Sequence, residues 1–298
     1  MVGKMLGIPS VYEIRGLWEY TKVYEEGLDE KSIRFLYLKY MEGLAAKNAD
    51  LTLTLTENLK QEMVFRGVEA NRISVIANGM NTEDHVADDS IKQSLIEKHN
   101  LSGKKIIGYV GSITKYEGLD VLLRAMKKLI ITHTEIHLII VGDGKELENL
   151  KSLVLELGIE NYATFTGRLK PEEAKSYYNI IDIAPFPRHK TKVTNLVSPL
   201  KPFEAMAYKK PVVLSDVDVT FEYIEDGKNG LIFTANDEVD LAAKLEMLID
   251  NEKLYSQMSD FAYQWVKENR SWDIITAKLV DDYQKLIICG NAVVTETI

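Results

Sequence analysis

Lys201 and Glu204 open a stretch whose residue types and spacing suit a phosphorylated, hydroxyl-rich ligand. It runs Ser198-Pro-Leu-Lys-Pro-Phe-Glu-Ala-Met-Ala and continues Tyr208-Lys-Lys-Pro-Val-Val-Leu-Ser215. Ser198 suits an N-cap and Pro199 a first helical residue, where the missing N–H costs nothing. A helix is expected from there to about Tyr208, with Lys209 and Lys210 placing positive charge at its end and Pro211 stopping it. Pro211 to Ser215 has the form of a buried parallel strand. N–H groups at the start of such a helix make an anion site, and Lys201 adds a cation. Glu204 stands one turn on, at a height to accept hydrogen bonds from hydroxyls beside a bound phosphate. The same residues also describe a plain amphipathic helix with a surface glutamate, and at this point both readings stand.

Two further turns invite comparison. Lys104-Lys-Ile-Ile-Gly-Tyr-Val-Gly111 reads as a buried strand ending in glycine, followed by Ser112-Ile-Thr-Lys-Tyr-Glu-Gly118 and a helix. A strand, a glycine turn and a helix cradle phosphate through backbone N–H groups. Gly142-Asp143-Gly144 closes the next strand, and Asp143 reads equally as a simple cap. The loop from Arg188 to Val197 gathers Arg188, His189, Lys190 and Lys192, which suit either an anion or plain solvent.

The 198–213 stretch closely resembles the nucleotide-sugar motif of retaining glycosyltransferases of family 4, also called group 1. The resemblance extends over nearly the whole chain and is strongest between 72 and 233. It implies an α/β fold of GT-B type, with two Rossmann-like domains facing a cleft. It also implies transfer of a sugar from a nucleotide-diphosphate donor to a saccharide or lipid-linked acceptor, with retention at the anomeric carbon. No cofactor and no metal are implied beyond the donor substrate, and the Asp216-Val-Asp218 pair is read accordingly as no metal site. Glu204 would bind the donor ribose. Backbone at Ser198 and Leu200 with Lys201 would hold the diphosphate, so Lys201 and Glu204 carry the catalytic role. Gly111, Ser112 and Lys115 would face the phosphates, Gly142 and Asp143 would lie close to the donor, and Arg168 and Leu169 would approach the nucleobase. The pattern departs from the family in three places. Leu196 stands where the first glutamate of the motif falls, Ser112 where an arginine is usual, and Glu117 where a lysine is usual.

The elements that position these residues follow from periodicity. Helical spacing at 31–48 (Ile33, Leu36, Tyr37, Tyr40, Leu44) predicts a core-facing helix. Ala49-Asp-Leu-Thr-Leu-Thr-Leu-Thr56 alternates and reads as a strand, and Thr56 then starts a helix ending at Gly67. Arg72 to Ala77 reads as a strand leading to an Asn78-Gly79 turn. Further strands are expected at about 134–141, 163–168, 182–187 and 231–233. Helices are expected at about 91–99, 237–250, 251–268 and 271–288, with Trp265 and Trp272 as core anchors. Strands alternating with helices imply parallel sheets. The domains are expected at 1–85, an incomplete acceptor-side unit, and at 86–270, the nucleotide-sugar unit. A last helix at 271–298 is expected to return to the first, and 82–90 reads as the linker. The opening segment, a helix end, a turn and then a strand to Gly16, reads as the middle of a domain lacking its first βαβ unit.

Composition narrows the function classes. The chain has 298 residues, 46% of them hydrophobic, enough for two cores. A formal net charge of -9 with well-mixed signs argues against nucleic-acid binding. The single cysteine, Cys289, rules out an internal disulfide and fits a reducing, cytoplasmic setting. No apolar run approaches the ~20 residues of a membrane span, so membrane contact would be peripheral, at the inner face. The alternative to an active transferase of polysaccharide biosynthesis is a truncated or split-chain donor-binding remnant, needing a second chain for its first third. An epimerase of the same fold is a third reading, disfavoured because no acidic–histidine pair is evident in the later segments.

Overall fold

The computed structural model describes residues 2–81 and 88–295. Residues 82–87, most of the expected linker, lie outside the described residues. The chain divides into two compact units, the first comprising Met1–Met80, Lys192–Ser198 and Asn269–Ile298, the second Asn81–Thr191 and Pro199–Glu268.

The first unit is built on three parallel strands in the order β1 (Val11–Ile14), β2 (Leu51–Thr54) and β3 (Ile73–Val75). The Leu/Thr alternation of β2 signals a strand, but not one wet face. Thr52 and Thr54 are as buried as Leu53, and their hydroxyls donate to the carbonyls of Ala46 and Thr56. Thr56 caps the Glu57–Phe65 helix, its side chain accepting from Leu59 N–H at 3.0 Å. Val193 and Leu196, on a short Lys192–Leu196 helix, join Ile14, Phe35, Leu59 and Met63 in this unit's core. That helix lies within the segment expected as a cation-bearing loop.

One expectation is overturned here. The Ile33–Asn48 helix buries Phe35, Gly43 and Ala46. Its stripe of Ile33, Leu36, Tyr37, Tyr40 and Leu44 is exposed, Ile33 at 87% and Tyr40 at 64%. The spacing correctly puts these side chains on one face, but the core lies against the other. Trp272 is likewise half-exposed, although its ring covers Gly79 so closely that a Cβ there would stand 2.7 Å from it.

The second unit carries β4 (Lys105–Val110), β5 (Ile136–Val141), β6 (Ala163–Phe165), β7 (Ala184–Phe186), β8 (Val212–Ser215) and β9 (Leu231–Phe233). All pair in parallel. A parallel bridge between Ile107 and Ile183, with Gly108 N–H donating to Ile183 carbonyl at 2.9 Å, joins β4 to β7. The strand order is therefore β6-β5-β4-β7-β8-β9, the doubly wound order with its reversal between β4 and β7. β5 is buried along its whole length, and the Leu119–Leu129 helix turns a full apolar stripe onto the sheet. Trp265 anchors this core by stacking on Phe203 at 6.1 Å.

Candidate donor-binding site

The carboxyl ends of β4, β5 and β6 release three loops at one edge of the second unit. The first two loops are tied by backbone: Gly111 N–H donates to Val141 carbonyl at 2.9 Å and Ile113 N–H to Asp143 carbonyl at 3.0 Å. Glycine is required where they meet. Gly142 has φ of 139°, and a Cβ on it would stand 2.0 Å from Gly111 carbonyl. Above these loops lies a cavity of about 550 Å³ lined by Gly111, Ser112, Gly142, Asp143, Arg168 and Leu169, with Pro171 and Ala174 of the Pro171–Ser176 helix. These six loop residues, singled out separately in the sequence, are thus brought together. Asp143 accepts Gly144 N–H at 2.8 Å, the turn-stabilising role its position also suggested.

Lys115 lines a different cavity, of about 220 Å³, beside Asp120, Asn149 and His189. His189 Nε2 lies 3.0 Å from Asp120 Oδ1, and its other ring nitrogen lies against Asn236 Oδ1. The hydrogen bond with Asp120 holds the His189 imidazole above its ordinary pKa against the opposing pull of burial.

The helix of the central motif starts later than expected. It spans Lys201–Ala207, with Leu200 at the N-cap and Pro202 in the first turn. Ser198 is no cap: its hydroxyl is buried with no hydrogen-bond partner among the described residues. A helix begun at Pro199 would need the N–H of residue 202 for its first internal hydrogen bond. Pro202 has none, and its ring would meet the preceding carbonyl. Only the second proline tolerates a helix start. Ser198 falls in the first unit and Leu200, Lys201 and Glu204 in the second.

Lys201 Nζ is held 2.8 Å from Glu117 Oε1 and donates to Tyr109 hydroxyl at 2.7 Å. Arg188 Nε lies 4.0 Å from the same carboxylate oxygen. Burial works to raise the Glu117 pKa, but Lys201 and Arg188 overcome it and hold the carboxyl below its ordinary range. Glu204 is half-buried and its pKa is raised by that burial, with Lys175 and Lys201 opposing. Leu196, at the position of the motif's missing glutamate, packs in the first unit's core, and its carbonyl accepts the Thr56 hydroxyl at 2.5 Å.

The rest of the cation cluster is also engaged. Lys190 Nζ stands 3.8 Å from Asp216 and 3.6 Å from Asp218, so the chain's own ammonium bridges the two aspartates of the Asp216-Val-Asp218 pair. Lys192 pairs with Glu62 at 2.8 Å. Sequence reasoning missed Tyr109 and the inward turn of Glu117. The available signal was the acid at Glu117 itself, standing just before the helix-opening Gly118 where the resemblance implies a lysine.

Residues 91–265 match the family model described as glycosyl transferases group 1. This chain belongs to the group 1 glycosyltransferases. Among curated relatives, the alpha-D-kanosaminyltransferase of Streptomyces kanamyceticus is 24% identical over 88% of this chain and 67% of its own length. The D-inositol 3-phosphate glycosyltransferase of Corynebacterium jeikeium is 29% identical over 82% of this chain and 59% of its own. The chain thus spans about three-fifths to two-thirds of these relatives. Among solved structures, Anabaena Alr3699/HepE in complex with UDP superposes with a TM-score of 0.80 at 18% identity, covering 95% of this chain and 74% of that one. The sucrose-phosphate synthase of Thermosynechococcus elongatus gives 0.78 at 20%, covering 97% and 71%. The fold is α/β of GT-B type. Among the described residues no helix is long and apolar enough to cross a membrane.

Proposed function

We propose that this protein moves a sugar from a nucleotide-diphosphate donor to a saccharide or lipid-linked acceptor, with retention at the anomeric carbon. The observation that carries the reading is the cavity over β4, β5 and β6, which collects Gly111, Ser112, Gly142, Asp143, Arg168 and Leu169 at one strand edge of a group 1 chain. Ligands of doubly wound sheets bind outside the carboxyl ends of the strands near the reversal of strand order. Anabaena Alr3699/HepE, a neighbour in this fold, has been solved in complex with UDP-glucose, which supports a nucleoside-diphosphate donor.

As the sugar leaves, negative charge develops on the diphosphate. Fixed N–H groups of the Gly111 and Gly142 loops, together with Lys201, meet that charge without having to reorganise, and such preorganised stabilisation supplies much of the rate enhancement in many enzymes. Glu204 accepts the ribose hydroxyls, and Arg168 and Leu169 border the base. No side chain is assigned as a nucleophile. The leaving phosphate takes the acceptor's proton, and no metal or further cofactor takes part. The protein works in the cytoplasm, in polysaccharide assembly, touching the inner membrane face only peripherally.

The test is a thermal-shift series with UDP, GDP and ADP and their sugars. A ligand at a hundred times its Kd adds about 2.7 kcal/mol. One base is expected to stabilise the wild type, with the effect lost in Glu204→Ala. A folded protein that responds to none of them sinks the donor reading.

A further inference from the structure

Glu117 is a carboxylate in an expensive place. It is 3% exposed, yet it belongs to the loop that follows β4, beside the reversal of strand order. An ionised group taken from water needs strong compensation. Its Oε1 receives Lys201 at 2.8 Å, while Oε2 is buried with no hydrogen-bond partner among the described residues. Lys201 and Arg188 hold the carboxylate ionised in spite of its burial, yet buried ion pairs can often be replaced by apolar residues of similar volume without loss of stability.

What Glu117 does achieve is the placing of one ammonium. Lys201 comes from a separate helix, and its stem runs beside Gly111 so closely that a Cβ there would stand 2.3 Å from Lys201 Cε. Its Nζ is fixed from two sides, by Glu117 and by Tyr109, whose hydroxyl in turn donates to Ser112 carbonyl at 2.9 Å. Gly111 and Ser112 are the β4-side rim of the cavity. The Lys201 side chain keeps 19% of its surface open. A charge-assisted contact from so constrained an ammonium to a phosphate oxygen costs little further ordering.

We propose that Glu117 is a positioning residue for anion recognition: with Tyr109 it holds Lys201 against the Gly111–Ser112 rim, where that ammonium reads the donor's diphosphate. This rests on the donor reading above. The ion pair then serves binding rather than stability, and the two roles separate in experiment.

The experiment uses the full chain, titrated with whichever of UDP, GDP or ADP binds and with the matching nucleoside. The readout is the ratio of the two affinities, with thermal unfolding alongside. Removing both charges in Glu117→Gln/Lys201→Met is expected to leave the protein folded and the nucleoside affinity unchanged, and to lower the diphosphate-over-nucleoside ratio at least tenfold. Glu117→Gln alone, which keeps the ammonium but loosens it, is expected to lower the ratio severalfold. The exchange Glu117→Lys/Lys201→Glu returns a cation to the same rim and is expected to recover part of the loss. An unchanged ratio in Glu117→Gln, with the protein folded, overturns the proposal and leaves a purely structural ion pair. A wild type that binds no nucleoside diphosphate instead overturns the donor reading, and this proposal with it.

Discussion

Each unit buries one ionic cluster, and the two are near mirror images. In the first, one guanidinium serves two carboxylates: Arg66 meets Glu19 at 2.7 Å and Glu62 at 3.0 Å, all three side chains at least 95% covered. Lys192 adds the second positive charge at 2.8 Å from Glu62. In the second unit, one carboxylate serves two cations, Lys201 and Arg188, and one of its oxygens stays unpartnered. Arg66 of the first cluster lines a cavity of about 490 Å³ with Lys39, Tyr40 and Phe65, whereas in the second cluster the stem of Lys201 packs against Gly111, on the rim of the cavity over β4, β5 and β6. Matching charges with close geometry mark a group that holds structure. In the second cluster one carboxylate oxygen lacks a hydrogen bond among the described residues, and the cation held there is the lysine proposed to read the diphosphate.

The largest effect that could break this contrast lies in the first cluster. Arg66→Met leaves Glu19 and Glu62 buried without their guanidinium and should cost about 3–5 kcal/mol, read from amide exchange of β2 in rising urea. A loss under ~1 kcal/mol would mean that the cluster is not structural. Next comes ordinary core packing in the second unit. Leu122, fully buried on the Leu119–Leu129 helix, should cost about 2–5 kcal/mol as Leu122→Ala in chemical denaturation. Gly142→Ala forces a Cβ against Gly111 carbonyl at an unfavourable φ. It should cost about 1–3 kcal/mol and weaken nucleoside-diphosphate binding as well. A variant that keeps wild-type binding would separate the loop glycines from the site.

A smaller, pH-dependent effect belongs to His137, which burial depresses to about 4. The unfolded chain takes up this proton near its ordinary pKa of 6.5, the folded one only near 4. The stability in question is therefore full above 6.5 and is lost as pH falls toward 4. Thermal midpoints of the second unit should drop over that window, and the drop should flatten in His137→Asn. The smallest change is expected from Tyr40→Ser on the exposed stripe of the Ile33–Asn48 helix, within about 0.5 kcal/mol. A loss as large as that of Leu122→Ala would show the stripe to be packed after all.

That exposed stripe also shows what the sequence makes legible. Helical spacing reports which side chains share a face, and it does so equally for Leu119–Leu129 and for Ile33–Asn48. It does not report whether the face has a partner, since that depends on residues distant in the chain. Caps and prolines that act within one turn are readable, as with Thr56 and Pro171. Ser198 misleads because two prolines three residues apart compete for one start, and only the interior hydrogen bond lost at Pro202 decides between them. The glycine turns after β4 and β5 could be read from the sequence one by one. Their convergence on one cavity, and the pairing of Glu117 with a lysine 84 positions later, depend on strand order, which local pattern does not encode.

The segmentation of the first unit bears on its synthesis. Its strands are made first, yet its core waits for Val193 and Leu196. Ser74 waits longer for its hydrogen bond to Asp282, as does Met80 N–H for the Arg270 carbonyl. On a ribosome, where chains emerge from the amino end, the second unit is all present once residue 268 is out. The first to be started is therefore the last to be finished, and its β-strands stand complete well before the residues that close their core are made.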